Sequence, residues 1–425
     1  MNRIIKLVKR VTGDITVPGD KSIAHRALMI GAIARGVTKI RGLPESDDCN
    51  YTAAAFRDMG IVIRKKGAVT SVKGMGLKGL NDPRRPISAG NSGTTMRLMA
   101  GILAGQDFES TLTGDEGLSN RPMKRIVEPL SKMGVKISAR DGEYPPLIIR
   151  GGAVRPIDYT TPVPSAQVKS AILLAGLYAK GITRVAEKYK SRDHTERMLK
   201  YFGSRLKVKG LEVSVEGRKE LDGRDLDIPG DISSASFFIA AAILLKGSRI
   251  RIKNVSVNPT RAGILKVLAG MGAKVRVVNK RKGFEPAGDV IAEYSETRGM
   301  TITKSIIPAI IDELPVIFVL ASLSRGRTII KGAGELRVKE ADRISSMEEN
   351  LKRMGAKIRV EGDDIIIEGI DKLKGAPLDS FGDHRTCMAM AVAAMAAEGE
   401  SVIEGAESVS KSFPEFFSVM ERLND

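Results

Sequence analysis

The sequence predicts an α/β protein of two similar domains, each built from three copies of a β-α-β-α-β-β unit. Three observations predict this fold: a sixfold internal repeat, the alternation of helix-like and strand-like segments within each copy, and a length of 425 residues, which exceeds one ordinary core. With 42% hydrophobic residues, the chain carries enough apolar side chains to fill two cores. Bulk disorder is therefore not expected.

Each copy opens with a short polar segment, continues as an apolar, alanine-rich helix and ends at a glycine. The six segments are Ser22–Gly36, Ser92–Gly105, Ser165–Gly181, Ser233–Gly247, Asp312–Gly326 and Asp383–Gly399. Ser or Asp at the opening is typical of a helix N-cap, and the final glycine is typical of a C-cap. Because these helices are apolar on most sides, we expect them to be buried.

A strand-like run and a second, more polar helix follow the apolar helix in each copy. In four copies the second helix ends in Met-Gly before the next strand, in the segments DMGIVI, KMGVKI, GMGAKV and RMGAKI. The third copy has YFGSRL at this place, and the sixth ends at RLND. The recurrence of one pattern at similar spacing predicts six structurally equivalent units.

Two Pro-Gly-Asp segments predict the domain boundary. ITVPGDKS covers residues 15–22 and LDIPGDIS covers residues 226–233, and each indicates a strand, a turn and a helix start. We therefore predict one discontinuous domain of residues 1–19 and 229–425, and a second domain of residues 20–228. Hinge linkers are expected near residues 18–21 and 227–232, where they would let the domains close over substrates in a cleft between them.

Composition excludes several classes of function. The net charge of +18 favours an anionic partner, but the chain has no tryptophan, 4% aromatic residues and no dense Lys/Arg run, so nucleic-acid binding is not expected. The two cysteines, Cys49 and Cys387, give neither a disulfide framework nor metal-ligand spacing. No apolar run is long enough for a membrane span or a secretory signal, so we expect a cytoplasmic protein. We also expect a monomer.

Several of the repeated helix openings carry groups that bind anions, because helix N-termini present free N–H groups and a positive dipole. The openings PGDKSIAHR, GNSGTTMR, PSAQVKS and FGDHR supply Lys21, Ser22, Arg26, Gly93, Ser165, Gln167 and Arg385. Other motifs supply Arg121, Arg192, Asp312, Lys339, Glu340, Arg343 and Lys411. Each string alone is commonly only a cap or a surface ion-pair pattern, as RVKEADR would be. Basic residues at equivalent places of a repeat instead predict one anion site, provided that the helix starts converge.

In order along the chain, these motifs match those of one enzyme family. The sequence resembles the 3-phosphoshikimate 1-carboxyvinyltransferase (5-enolpyruvylshikimate-3-phosphate synthase, EPSP synthase) family in PGDKSIAHR, GNSGTTMRL, SNRPM, PSAQVKSA, SRDHTE, IDELP, LRVKEADR, GDHR and SKSFPEFF. The resemblance implies the inside-out α/β barrel of the enolpyruvyl transferases, with helix N-termini facing the cleft. It also implies transfer of the enolpyruvyl group of phosphoenolpyruvate to the 5-hydroxyl of shikimate 3-phosphate, in aromatic amino-acid biosynthesis, without metal or organic cofactor.

The resemblance also implies residue roles. Shikimate 3-phosphate would be bound by Lys21, Ser22, Arg26, Ser165, Ala166, Gln167, Arg192, Asp312 and Lys339. Phosphoenolpyruvate, and glyphosate as an inhibitor in its place, would be bound by Lys21, Gly93, Arg121, Gln167, Arg343, Arg385 and Lys411. Asp312, Glu340 and Lys21 would carry the proton transfers. The substrates together bring a charge of roughly −5 to −6, which the excess of cations among these residues would neutralise.

The sequence departs from many relatives at three of these motifs. Ala166 stands where a second serine is usual and offers only its backbone N–H, Arg192 stands where an aromatic residue is common, and Ala341 replaces a Ser or Cys. An alternative is the sister family that moves enolpyruvyl onto UDP-N-acetylglucosamine. That family carries a cysteine before the arginine equivalent to Arg121, whereas GDEGLSNR has none, and its Lys-Asn pair is Lys21-Ser22 here. An alternative of another class is a non-catalytic anion- or RNA-binding protein.

Overall fold

The computed structural model describes residues 1–424 and divides into two compact units. The terminal unit comprises Met1–Pro18 with Pro229–Asp425, and the central unit comprises Gly19–Ile228. Residue 425, the last of the predicted discontinuous domain, lies outside the described residues.

The chain begins with β1 (Arg3–Lys6) and β2 (Thr12–Ile15) of the terminal unit. The first repeat of the central unit has α1 (Lys21–Ala32), β3 (Arg35–Arg41), α2 (Asp47–Asp58), β4 (Val62–Lys66) and β5 (Val69–Met75). The second repeat has β6 (Ile87–Ser88), α3 (Gly93–Leu103), β7 (Glu109–Thr113), α4 (Glu116–Ser119), α5 (Lys124–Lys132), β8 (Lys136–Arg140) and β9 (Tyr144–Arg150). The third has β10 (Asp158–Thr160), α6 (Ala166–Gly176), β11 (Ile182–Ala186), α7 (His194–Tyr201), β12 (Arg205–Lys209) and β13 (Glu212–Glu216), followed by β14 (Leu226–Asp227).

The terminal unit continues with three more repeats. The fourth has α8 (Ile232–Leu244), β15 (Arg249–Ser256), α9 (Gly263–Gly270), β16 (Lys274–Arg281) and β17 (Ala287–Glu293). The fifth has β18 (Thr301–Ile302), α10 (Ile307–Ile310), α11 (Leu314–Ser322), β19 (Arg327–Ile330), a 3₁₀ turn (Gly334–Val338), α12 (Arg343–Arg353), β20 (Lys357–Glu361) and β21 (Asp364–Glu368). The sixth has β22 (Pro377–Asp379), α13 (His384–Met395), β23 (Glu400–Glu404), a 3₁₀ turn (Ala406–Lys411) and α14 (Phe416–Leu423).

Residues 1–424 form six sheets, one for each repeat. Within a complete repeat a short strand pairs in parallel with the strand after the buried helix, and that strand pairs antiparallel with a hairpin, as in the order β6-β7-β9-β8. The sixth repeat ends in α14 instead of a hairpin, and β1 lies antiparallel to β23 in the hairpin's place. The predicted α/β fold of six repeated units is thus confirmed.

The two strands that precede α1 and α8 do not lie in the sheets of the repeats they lead into. Strand β2, before α1, pairs in parallel with β15 of the fourth repeat. Strand β14, before α8, pairs in parallel with β3 of the first repeat. Each Pro-Gly-Asp segment therefore carries the chain from one compact unit into the other.

The six apolar helices are buried, as the sequence predicts. Every residue of α11 and α13 is buried, and in α8 all but the last residue are. These three helices pack on one another and carry their sheets on the outside, and in the central unit α3 packs against both α1 and α6. A Cβ at Gly101 of α3 would lie 2.2 Å from the Ala171 carbonyl oxygen of α6, so these two helices approach as closely as their backbones allow.

The predicted N-caps hold for three of the six apolar helices. Ser92, Ser165 and Asp383 each accept a backbone N–H of their helix. The predicted caps Ser22 and Ser233 are wrong, because the aspartates two residues earlier, Asp20 and Asp231, take that role. Each aspartate directly precedes the first residue of its helix, so its carboxylate accepts a backbone N–H of the first turn, whereas the serine already lies inside the helix.

The predicted cap Asp312 is also wrong, since α11 begins after Glu313 and has no side-chain cap. Five of the six predicted C-cap glycines lie beyond the helix end, and only Gly105 directly follows a C-cap, Ala104 of α3. In the first repeat α1 ends at Ala32, and Gly36, with φ of +94°, lies inside β3. Its positive φ turns the chain into the strand instead of ending the helix.

The Met-Gly and Phe-Gly segments end the second helix in five repeats. At the end of α2, the Gly60 N–H donates to the Arg57 carbonyl at 3.0 Å and the Ile61 N–H to the Phe56 carbonyl at 2.9 Å. The same pair of hydrogen bonds ends α5, α7, α9 and α12, and the five glycines have φ between +83° and +88°. This is the Schellman motif, which needs glycine because other residues are strained at positive φ.

Candidate functional site

The buried helices of the central unit leave the core only at their N-terminal ends. In α1, α3 and α6 all residues are buried except Lys21, Ser22, Thr94, Arg97, Ala166 and Gln167. All six lie in the first one and a half turns, and four of them are predicted site residues. The free N–H groups at these helix ends favour anions.

Lys21, the first residue of α1, forms an ion pair with Asp48 of α2. Its Nζ lies 2.8 Å from Asp48 Oδ2, and the two side chains are 17% and 13% exposed. At this exposure the pair is partly shielded from water, and the carboxylate fixes the direction of the lysine side chain. The sequence analysis did not find Asp48, which lies in no recognised motif.

Arg26 is buried one turn into α1, and three oxygens accept its N–H groups. Nη1 donates to the Ser22 carbonyl at 2.8 Å, Nη2 to Ser170 Oγ at 2.9 Å and Nε to Thr195 Oγ1 at 2.6 Å. These three acceptors fix the orientation of the Arg26 guanidinium. Such a guanidinium is well suited to bind an anion.

Gly93 opens α3 beside two arginines. A Cβ built on Gly93 would lie 3.4 Å from Arg97 Nη1 and 3.5 Å from Arg121 Nη1. Arg121 is 8% exposed and donates through Nη2 to Asn91 Oδ1, while Asn91 Nδ2 donates to both carboxylate oxygens of Asp115 at 2.9 Å. The structure thus brings the predicted residues Gly93 and Arg121 together.

Gln167 of α6 reaches the same helix end through Arg97. Arg97 Nη1 donates to Gln167 Oε1 at 2.6 Å, and Gln167 Nε2 donates to Thr94 Oγ1 at 2.9 Å. Ser165 caps α6, with its Oγ accepting the Val168 N–H at 3.4 Å, and Ala166 is the first residue of the helix. The N-termini of α3 and α6 therefore lie side by side.

Two predicted binding residues, Arg192 and Lys339, lie in segments between helices and strands. Arg192 is half-buried in the loop before α7 in the central unit. Lys339, also half-buried, follows the 3₁₀ turn Gly334–Val338 in the terminal unit.

Arg343 is the centre of the site residues in the terminal unit. Its side chain is 1% exposed and faces three carboxylates: Nε lies 2.8 Å from Asp383 Oδ2, Nη2 2.5 Å from Glu340 Oε2 and Nη1 3.3 Å from Asp312 Oδ1. Burial by itself would lower the pKa of Arg343, but Asp383, Glu340 and Asp312 outweigh it and raise the pKa above its ordinary value. RVKEADR is therefore not a helix-surface ion-pair pattern, because Arg343 begins α12 and points into the unit.

Arg385 and Lys411 extend this group. Arg385 Nε lies 3.6 Å from Asp312 Oδ1, and Arg385 Nη1 donates to the Asp312 carbonyl at 3.4 Å. Lys411 Nζ donates to the Gly382 carbonyl at 2.7 Å, one residue before the cap of α13. The structure thus gathers Asp312, Glu340, Arg343 and Arg385 in one cluster, with Lys411 next to it.

A second buried arginine lies behind Asp312. Arg261 is 1% exposed; its Nη1 lies 2.8 Å from Glu313 Oε1 and 3.9 Å from Asp312 Oδ2, and its Nη2 lies 2.9 Å from Asp231 Oδ1. Arg261 also donates to Ser233 Oγ. The segment that opens α8 contains no Lys or Arg, and Arg261, from the loop before α9, supplies the positive charge at this helix start.

Comparison with known proteins decides the family. The chain matches the EPSP synthase (3-phosphoshikimate 1-carboxyvinyltransferase) family over residues 5–420. The protein belongs to the EPSP synthase family.

Individual relatives agree with this assignment. The chain is 49% identical over 422 residues to the 3-phosphoshikimate 1-carboxyvinyltransferase of Brevibacillus brevis, covering 99% of both chains. It is 48% identical over 421 residues to that of Geotalea uraniireducens, covering 99% of this chain and 98% of the relative. The solved structure of EPSP synthase from Acinetobacter baumannii has a TM-score of 0.89 and 42% identity, covering 100% of this chain and 98% of that one.

In this member of the EPSP synthase family, sequence reasoning missed the partners of the predicted cations. Asp48 and Arg261 lie in no recognised motif, and Asp383 was interpreted only as a helix cap. Asp383 does cap α13, through Oδ1, and its Oδ2 also pairs with Arg343. His384, the first residue of α13, is buried. Among residues 1–424 no group of three or more His, Cys, Asp and Glu side chains is placed to hold a metal ion, and no helix is long and apolar enough to cross a membrane.

Proposed function

We propose that this protein transfers the enolpyruvyl group of phosphoenolpyruvate to the 5-hydroxyl of shikimate 3-phosphate. The products are 5-enolpyruvylshikimate 3-phosphate and phosphate. The match to the EPSP synthase family over residues 5–420 carries this conclusion. The helix ends of the central unit and the Arg343 cluster of the terminal unit supply the chemistry that two substrates with phosphate and carboxylate groups need.

The cations and hydrogen-bonding groups divide between the two substrates. We assign shikimate 3-phosphate to Lys21, Ser22, Arg26, Ser165, Ala166, Gln167, Arg192, Asp312 and Lys339. We assign phosphoenolpyruvate to Lys21, Gly93, Arg121, Gln167, Arg343, Arg385 and Lys411. The arrangement of Arg26 supports its assignment, because its guanidinium is oriented by three oxygens.

The reaction is an addition followed by an elimination. The methylene carbon of phosphoenolpyruvate takes a proton, the 5-hydroxyl oxygen bonds to the neighbouring carbon, and the hydroxyl proton leaves to a base. The tetrahedral product then loses phosphate and a methyl proton, which restores the double bond. Positioned acids and bases accelerate such transfers by about 10²–10⁴-fold.

Asp312, Glu340 and Lys21 are proposed for these proton transfers. Asp312 would accept the proton of the 5-hydroxyl, and Glu340 with Lys21 would serve the methylene carbon and the leaving phosphate. The ion pairs of Asp312 and Glu340 with Arg343 hold both carboxylates in fixed positions, which positions proton transfer better than a mobile side chain does.

Phosphate release on mixing the purified protein with both substrates tests this function. We expect release only when shikimate 3-phosphate and phosphoenolpyruvate are both present. UDP-N-acetylglucosamine as acceptor is the control, since the segment before Arg121 lacks the cysteine typical of that sister family. Release with the UDP-sugar and none with shikimate 3-phosphate would reject the proposal.

Glyphosate should inhibit competitively with phosphoenolpyruvate, because Gly93 leaves open the space beside Arg97 and Arg121 that a side chain would fill. Initial rates at several phosphoenolpyruvate concentrations measure this. Full activity at millimolar glyphosate would contradict the assignment of Gly93.

A monomeric state and a cytoplasmic location stay predictions. Analytical ultracentrifugation would measure the oligomeric state.

A further inference from the structure

A lysine and two glutamates are buried together in the third repeat, and none of the three has a role in the proposed reaction. Lys169 of α6 is fully buried, with Nζ 2.8 Å from Glu187 Oε2 and 2.7 Å from Glu196 Oε1. The glutamate side chains are 0% and 3% exposed. We call these three residues the Lys169 cluster.

Burial of three ionisable groups needs a reason beyond stability. A lysine is almost never fully buried unless it is paired, and apolar residues of similar volume are commonly as stable as a buried ion pair. Burial alone would lower the pKa of Lys169, but Glu196 and Glu187 outweigh it and raise the pKa above its ordinary value. The lysine therefore keeps its charge, and with it an ion pair to each glutamate, of which the one to Glu187 is also a hydrogen bond.

The cluster joins the two ends of one loop. Glu187 directly follows β11, and Glu196 lies in the first turn of α7, so Lys169 ties the segment before the loop to the segment after it. The Ser191 N–H also donates to Glu187 Oε2, at 3.3 Å. The next residue in the chain is Arg192.

A second set of contacts lies directly beside the cluster. Ser170, next to Lys169, and Thr195, next to Glu196, have their Oγ and Oγ1 atoms 2.6 Å apart. Both oxygens accept N–H groups of Arg26. The approach of α7 to α6 that the Lys169 cluster fixes therefore also sets the acceptors that orient Arg26.

We propose that Lys169 is a positioning residue for shikimate 3-phosphate, holding the Arg192 loop and, through Thr195, the guanidinium of Arg26. The inference rests on the proposed function, which places Arg26 and Arg192 at that substrate. Lys169 itself contacts neither the substrate nor the reacting atoms, and it acts through the segment that Glu187 and Glu196 anchor.

The test separates this positioning role from a role in stability alone. Lys169→Met removes the ammonium group and leaves two buried carboxylates without a cation, so this variant is expected to lose stability. Adding Glu187→Gln and Glu196→Gln removes those charges and restores the thermal midpoint. In this triple variant we expect KM for shikimate 3-phosphate to rise about tenfold or more, with kcat and KM for phosphoenolpyruvate within about twofold of the wild type.

A matched control and a readout that does not depend on activity complete the experiment. Val213→Ala in β13 of the same repeat opens a cavity at a fully buried position and should lower the thermal midpoint without changing either KM. Trypsin should cleave the triple variant faster than the wild type after Lys188, which is exposed in the loop.

The outcomes are distinguishable. A folded triple variant with wild-type KM for shikimate 3-phosphate, or with both KM values and kcat changed alike, overturns the inference. A wild-type protein that releases no phosphate from the two substrates refutes the proposed function instead. In that case the tryptic cleavage still decides whether Lys169 anchors the loop, because an unchanged cleavage rate in the triple variant would show that it does not.

Discussion

Replacing Arg343 by lysine tests whether the geometry of one guanidinium, and not only its charge, assembles the cluster in the terminal unit. Arg343 uses three different nitrogens to reach Asp383, Glu340 and Asp312, at 2.8, 2.5 and 3.3 Å. A lysine has one nitrogen at the end of a flexible stem, so it cannot occupy the three positions together.

The size of the effect follows from the lost contacts. If the lysine keeps one carboxylate, two charged hydrogen bonds are lost, each of about 1.5–3 kcal/mol. The side chains of Glu340 and Asp312 are 21% and 15% exposed, so water can hydrogen-bond to these carboxylates in place of the lost N–H groups. The low end, about 3 kcal/mol, is therefore the better figure. The protein should stay folded, since domains are stable by about 5–15 kcal/mol.

Two measurements check this prediction. Urea unfolding should show a free energy of unfolding lower by about 3 kcal/mol. Since Asp312 and Glu340 are proposed catalytic groups, kcat/KM for enolpyruvyl transfer should fall by about 100-fold or more.

The matched control is Arg337→Lys, five residues before Asp342 and close in sequence to Arg343. Arg337 pairs with Asp342 at 3.0 Å, but both side chains are more than a third exposed, at 37% and 36%. The control should change stability by no more than about 0.5 kcal/mol and leave kcat/KM unchanged. If Arg343→Lys behaved like this control, the cluster would not depend on the guanidinium, and the reasoning would be refuted.

Three further predictions concern separate groups. Asp312→Asn and Glu340→Gln should each lower single-turnover rates by about 100-fold or more while calorimetry shows substrate affinity changed much less; weak binding with normal turnover would reject their roles. Burial lowers the pKa of His25 from 6.5 to about 3, so the native ring is neutral while the unfolded ring takes up a proton below pH 6.5. The stability that His25 contributes is thus present above that pH and lost as pH falls towards 3, by at most about 1.4 kcal/mol per pH unit. Urea unfolding between about pH 7 and pH 4 should show a shallower loss for His25→Gln than for the wild type, and equal slopes would contradict this. Burial also raises the pKa of Cys49 and of Cys387 to about 12. A thiol reagent at about pH 8 should label neither cysteine in the native protein and both after unfolding, so rapid native labelling would show that these thiols are accessible.

Local patterns in the sequence predicted the repeat and the ends of the second helices. The Met-Gly segments end helices as predicted, because a glycine at positive φ satisfies the last carbonyls by short-range hydrogen bonds. The apolar helices are buried as predicted, because a helix that is apolar on most sides has no face suited to water. The wrong caps, Ser22 and Ser233, were errors of two residues within the correct turn.

The partners of the charged residues could not be predicted in this way. An arginine one turn into a helix commonly faces solvent, but Arg97 donates a hydrogen bond to Gln167 of another repeat. Arg343 was part of a string that suggests surface ion pairs, and it is 1% exposed. The sequence shows that these charges exist, whereas burial and pairing depend on which elements pack around them.

By itself the sequence determined the fold class, the six units and the helix ends that carry Lys21, Arg26, Gly93 and Gln167. Those features are encoded by residues that are neighbours in the chain. Only the tertiary structure decided which group each cation meets: Lys21 pairs with Asp48 across 27 residues, and Arg26 bonds to Thr195 across 169. An ion pair or hydrogen bond depends on distance in space, and folding brings together residues whose separation along the chain carries no trace of that contact.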